Sequence, residues 1–239
     1  MTDHAVVSKE RWIEARRALL AEEKAFTRER DRLSKMRRAL PWVWVSKDYV
    51  FQEARGAVTL AELFDRRRQL IVYHFMFGPD WQEGCPGCSL LCDQVDSARQ
   101  HFEHNGVSFV AVSRARIEKL AAYRQRMDWK FRWVSSGANE FNFDYHVSFP
   151  KGAREHGVIY NFAERPDPEV DELSGVSVFY QDDDKAIYRT YSTYARGGEM
   201  FLTVYGWLDV VPKGRNETKN GNLTDWVKRH DKYEGAGRT

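Results

Sequence analysis

Cys85, Cys88 and Cys92 are the only cysteines in a chain of 239 residues, and all three fall within "GPDWQEGCPGCSLLCDQVD". A thiolate attacks disulfides and also ligates soft metals, so the spacing of the three decides which chemistry is open. Cys85 and Cys88 form a C-P-G-C unit. Proline is favoured at the first helical position, where its missing N–H is not needed. Pro86 therefore places Cys85 just before a helix and Cys88 in its first turn. The free N–H groups and positive dipole end there favour a thiolate at Cys85, below the free value of about 8.5. Cys88 is close enough to resolve a mixed disulfide into an internal one. Asp80 and Glu83, just upstream, oppose thiolate formation where they approach it.

Two other readings stand beside the dithiol. Cys85, Cys88 and Cys92 share one helical face and could give three thiolates to a metal or cluster, with His74, His101 or His104 as a fourth ligand. Alternatively, all three are small buried side chains in a redox-inert interaction module. Compartment weighs on the choice. The opening "MTDHAVVSKERW" lacks the basic start, apolar stretch and cleavage site of a signal peptide, so the cytoplasm is expected. A close cysteine pair there is more often catalytic or metal-binding than a structural cross-link.

Bulk composition narrows the partners. Lys and Arg total 37 against 35 Asp and Glu, which gives no electrostatic footprint for nucleic acid. No apolar run approaches the roughly 18 residues that span a bilayer. A 42% apolar and 14% aromatic content belongs to a folded chain large enough to bury a core without cross-links.

The elements that must position the cysteines are legible around them. "QLIVYHFMF", Gln69 to Phe77, reads as a strand buried on both faces that leads into the cysteine loop. A helix follows to Asn105, then a buried strand over Val107 to Ser113, a helix marked by Ile117, Leu120, Tyr123 and Met127, and a short strand at Phe131 to Ser136. This alternation is the signature of parallel crossovers, and ligands gather beyond the carboxyl ends of such strands. "WVWVSKDYVF", Trp42 to Phe51, reads as a pair of short strands with a turn between them. Asn139 to Glu172 reads as an irregular insertion, and Gly175 to Tyr194 as a hairpin turning at Asp182 to Asp184. Ser8 to Arg38 is free of Gly and Pro, with Trp12, Leu19, Phe26, Leu33 and Leu40 recurring every seven residues. That stripe suits packing on the chain's own body or a homodimer through the N-terminal helix.

Other side chains have secondary roles in this reading. His74, inside the buried strand, is expected to be a hydrogen-bonded core residue. Asp80 and Trp81 are candidates for the rim of the thiol pocket, and Arg196, in "TYSTYARG", for a cation near the thiolate.

The run "QLIVYHFMFGPDWQEGCPGCS", with "VAVSRA", "WVSS", "FNFDYHVSF", "SVFYQD", "YSTYARG" and the final "HDKY", resembles the DUF899 family. These are bacterial proteins of thioredoxin-like fold, often described as predicted dithiol-disulfide oxidoreductases. The order of elements is also similar to the peroxiredoxin branch of that fold (AhpC/TSA-like proteins), which implies Cys85 as the attacking and Cys88 as the resolving cysteine. The chain departs from these relatives in two places. "GPDWQEGC" lacks the Pro and Thr that precede a peroxiredoxin cysteine, and "LSGVSVFY" has Gly175 where thioredoxins carry a cis-proline.

The resulting expectation is an α/β, thioredoxin-like three-layer sandwich over 40–208, with an N-terminal helical arm over 1–39 and a loose polar strap over 209–239. Its partners would be a disulfide or peroxide substrate and a thiol electron donor, without nucleic acid, membrane or cofactor.

Overall fold

In a computed structural model, which describes residues 4–150, 152, 154–215 and 224–235, the chain divides into two units, Met1–Pro41 and Trp42–Thr239. The first is a single helix, α1 (Lys9–Arg38). Ser8 caps it by accepting from the Arg11 N–H, and Lys35, Arg37 and Arg38 complement the dipole in its last turn. None of its residues is buried, and the heptad stripe is exposed, Phe26 by 69%.

The second unit is built on an eight-stranded sheet. Its strands are β1 (Val43–Trp44), β2 (Val50–Glu53), β3 (Gly56–Thr59), β4 (Gln69–His74), β5 (Val107–Ser113), β6 (Arg132–Ser135), β9 (Gly175–Gln181) and β10 (Ile187–Tyr194), in the spatial order β1-β10-β9-β4-β5-β6-β2-β3. A separate hairpin holds β7 (Val158–Tyr160) and β8 (Ala163–Arg165). The helices are α2 (Pro86–His104), α3 (Ile117–Arg126), α4 (Phe141–Asp144) and α5 (Thr203–Leu208). β4, β5 and β6 are parallel, joined through α2 and α3, and the β9/β10 hairpin lies antiparallel on the other side of β4. This is a thioredoxin-like arrangement.

The period of two along β4 sends alternate side chains to two cores. Leu70 and Val72 face one layer with Phe51, Leu63, Phe64, Phe141 and Tyr145. Tyr73 faces the other, where Cys88 and Cys92 of α2, Leu120 and Tyr123 of α3, and Tyr205 of α5 pack. The layers are therefore α2, α3 and α5, then the sheet, then a cover formed around α4 and a short 3-10 turn at Ala61–Phe64.

Three local expectations change. Val43–Trp44 and Val50–Glu53 do not pair with each other: β1 joins β10, while β2 joins β3 and β6 at the opposite edge. Alternating apolar residues make a strand but leave the choice of partner to the whole sheet. β4 ends at His74, and the Phe75 to Phe77 tail, still hydrogen-bonded to Val112 and Ala115, buries its two phenylalanine rings in the α2/α3 core. The stretch from Asn139 to Glu172 holds α4 and the β7/β8 hairpin as well as irregular chain.

Candidate active site

The loop from β4 to α2 is held at both ends. Phe75 N–H donates to the Val112 carbonyl (2.9 Å), Ala115 N–H to the Phe77 carbonyl (2.9 Å), and Cys85 N–H to the Met76 carbonyl (3.1 Å). Lys119 Nζ donates to the carbonyls of Pro79 and Trp81 at 3.0 and 2.8 Å. Underneath lies an aromatic floor. Phe75 meets Trp133 at 4.6 Å between ring centroids, and Phe77 meets Tyr123 at 5.5 Å. Each such pair adds about 0.5–1.5 kcal/mol beyond its buried area. A rigid floor therefore backs a short, tethered loop.

Cys85 is the N-cap of α2, with extended φ −58° and ψ 133°, and Pro86 is at N1. Its carbonyl accepts from the Ser89 N–H at 3.0 Å and the Ser89 hydroxyl at 2.9 Å. The Cys88 thiol donates to the Cys85 sulfur, as do the backbone N–H groups of Cys88 and Gly87, and the Arg229 charge adds to them. Against the opposing effect of burial, these hold the Cys85 thiol down to about 7. Cys88 goes the other way. Burial first, then its bond to Cys85 and the Cys85 charge, push its thiol well up, while the Tyr73 hydroxyl and Met76 N–H pull against them. Half-buried Cys85 is thus the more acidic thiol of the pair and buried Cys88 the less acidic.

Both sulfurs open on a cavity of about 300 Å³, lined by Tyr73, Met76, Leu91, Val176 and Leu202 on its apolar side and by Thr193, Tyr194, Arg196 and Glu199 on its polar side. The Tyr194 ring lies across Gly175, where a Cβ would lie 2.5 Å from Tyr194 Cδ1. Glycine at this position lets the Tyr194 ring form part of the cavity wall.

The expected supporting residues separate. Arg196 lines this cavity, but its guanidinium is exposed and binds Glu199 at 2.7 Å. Asp80 and Trp81 line a different cavity of about 150 Å³ with Arg114 and Asp171. Cys92 is fully buried in the α2/α3 core, where burial pushes its thiol well up. Among the described residues no group of three or more His, Cys, Asp or Glu side chains is placed to hold a metal ion. His74 is buried with Nε2 2.9 Å from Ser177 Oγ, and burial lowers its pKa to about 3, so it is neutral.

Sequence reasoning missed Tyr73, the backing of Gly84, and the C-terminal segment. Of the strap expected over 209–239, residues 216–223 and 236–239 lie outside the described residues. The piece over 224–235 is docked rather than loose. Val227 is buried, Trp226 packs against the α2/α3 core, and Thr224 covers Gly87, where a Cβ would lie 2.8 Å from Thr224 Cγ2. Arg229 donates through Nε (3.0 Å) and Nη2 (2.6 Å) to the carbonyl of Gly84, the residue before Cys85. The signal was a "DWVKRHDKY" island of apolar and aromatic residues in a polar tail.

A thioredoxin-like sheet with a close cysteine pair at the start of the helix after its central strand defines the class: a thioredoxin-fold protein with a dithiol site. More particularly, the chain belongs to DUF899, described as "Bacterial protein of unknown function", whose profile matches residues 1–233. No curated protein matches it. Solved structures similar in fold include peroxidoxin BcpB from Mycobacterium tuberculosis (13% identity, TM-score 0.45, covering 68% of this chain and 93% of that one). Others are Xylella fastidiosa PrxQ (12%, 0.42, 70% and 93%) and Xanthomonas campestris peroxiredoxin Q (14%, 0.45, 69% and 92%). These likenesses concern chain path alone, and function rests on the chain's own residues. No helix of the described residues is long and apolar enough to cross a membrane.

Proposed function

We propose that the chain is a thiol-disulfide oxidoreductase in which Cys85 attacks and Cys88 resolves. The observation that carries this reading is the asymmetry of the pair: a half-buried Cys85 capping the start of α2, its thiol held down to about 7, beside a buried Cys88 that donates to it. With a disulfide substrate, the Cys85 thiolate attacks one sulfur and expels the other as a thiolate. Cys88 then loses its proton and attacks Cys85, releasing the remaining thiolate and leaving a Cys85–Cys88 disulfide. With a hydroperoxide, Cys85 takes the terminal oxygen, an alcohol or water leaves, and Cys88 closes the disulfide on the sulfenic acid with loss of water. A thiol electron donor restores the dithiol with two electrons in either case. A cytoplasmic setting, which keeps thiols reduced, suits this cycle.

Thiol counting tests it. The reduced chain should titrate three thiols; stoichiometric diamide or hydrogen peroxide should leave one, with peptide mapping joining Cys85 to Cys88. Three thiols after oxidation, or one equivalent of bound zinc or iron in place of the disulfide, would sink the proposal.

The exposed apolar stripe of α1, Trp12, Leu19, Phe26 and Leu33, supports a homodimer as part of the same reading, because a second copy would cover side chains that this chain leaves to solvent. Sedimentation should give a dimer that Phe26→Glu dissociates. A wild-type monomer at tens of micromolar rejects it.

A further inference from the structure

We propose that Arg229 is a positioning residue for the dithiol, clamping the Gly84 carbonyl so that the turn into Cys85 is fixed and a cation stands beside the thiol. The inference rests on the dithiol reading above and adds a part of the chain that the cysteine motif does not contain.

The guanidinium is used on three sides. Nε and Nη2 reach the Gly84 carbonyl, Nε also lies 3.0 Å from the Tyr123 hydroxyl, and Nη1 lies 2.9 Å from Glu83. Tyr123 is in turn 3.0 Å from Ser89 Oγ, which donates to the Cys85 carbonyl. Arg229 therefore grips the peptides on both sides of Cys85, one directly and one through Tyr123 and Ser89. A planar, always charged fork suits this task, and its side chain is only 18% exposed, so solvent screens its charge little.

The segment carrying Arg229 is anchored on each side of it. His230 Nδ1 lies 2.7 Å from Asp93 of α2, and Asp231 receives Arg126 of α3 at 2.7 Å. Arg126 also pairs with Glu83, so the two arginines share that carboxylate.

Other charged or titratable groups around Cys85 are Cys88 and Cys92 of α2, Tyr73 of β4, Glu83 of the loop, and Tyr194, Arg196 and Glu199 on the cavity wall. Arg196 is engaged by Glu199, which leaves Arg229 as the cation acting on the thiol.

The test is the pH profile of Cys85 alkylation by iodoacetamide on the reduced, full-length chain, followed by mass spectrometry of the Cys85 peptide. Wild type should show a midpoint near 7, with reactivity rising as pH rises through it. In Arg229→Gln the midpoint should move up; a midpoint at about 8 leaves roughly a fifth of the thiolate at pH 7. Arg229→Lys, which keeps charge without the fork, should fall between the two, and gives the reading if the glutamine variant does not fold. Arg132→Gln removes a partly buried cation of β6 whose partners, Glu53 and the Glu62 carbonyl, touch neither the cysteines nor Arg229, and should leave the midpoint in place. An unchanged midpoint in either Arg229 variant, or an equal shift in Arg132→Gln, overturns the assignment. Alkylation needs no turnover, so failure of the oxidoreductase reading would show separately as absence of the Cys85–Cys88 disulfide.

Discussion

Cys85→Ser is expected to leave the chain folded and to lower insulin-disulfide reduction and hydroperoxide consumption by on the order of 10³-fold or more, because the attacking atom is gone. The half-buried N-cap position tolerates a hydroxyl, which can accept the same backbone N–H groups. Cys88→Ser should behave differently. Attack by Cys85 survives, resolution does not, and a mixed disulfide with the substrate thiol accumulates and is visible by mass. Cys92→Ser should leave the chemistry in place and cost stability, since that side chain is wholly enclosed by the α2/α3 core. Retained turnover in Cys85→Ser would mean that the nucleophile lies elsewhere.

The second large effect is expected at a glycine. A Cβ on Gly84 would lie 2.6 Å from Phe75 Cε1, 2.9 Å from Phe75 Cζ and 3.2 Å from Tyr123 Cε1. Phe75 cannot give way easily, being buried between Trp133 and Trp129 at 4.6 and 6.0 Å. Gly84→Ala must therefore lift the chain off its aromatic floor at the residue before Cys85. Overpacking of this kind costs about 1–3 kcal/mol, or on the order of 5 °C in melting temperature for a chain of this size. The same displacement pulls the Gly84 carbonyl from Arg229 and turns Cys85 away from the Gly87 and Cys88 N–H groups. Both the melting temperature and the rate of Cys85 alkylation at pH 7 should fall. A variant that matches wild type in both measurements would show that the floor is not rigid.

These two residues also show how far the sequence could be read. Pro86 marks a helix start from its own covalent geometry, so Cys85 is identified as the cap without knowledge of the sheet. The strand over Val107 to Ser113 is visible in the same way, as a continuous branched apolar run. Gly84 carries no such mark, because what it avoids, the Phe75 ring, is defined only once the loop folds back on the end of its own strand. Arg229 is harder still. Its partner is a backbone carbonyl, which leaves no trace in residue type, and it lies far along the chain from Gly84. Arg196 had the better local credentials, yet Glu199 three residues later takes its charge. Buried Glu172 shows the same limit: its carboxyl, pushed up to about 7 chiefly by burial, sits in a stretch whose sequence reads as irregular loop.

The two ends of the large sheet bear on how the chain behaves in a concentrated solution. One edge is β1, only two residues long, and the other is β3, four residues beginning with Gly56. β3 presents no long row of unpaired backbone donors and acceptors, whereas β1 pairs only with Arg189 and Tyr188 and leaves the Thr190 to Tyr194 part of β10 with no strand beyond it. The long, apolar strands β4 and β5, the stretches most prone to form a fibril, are each paired on both sides inside the sheet. A second chain can therefore add a strand to the folded sheet only along the uncovered part of β10, and reaches β4 and β5 only when the sheet itself has opened.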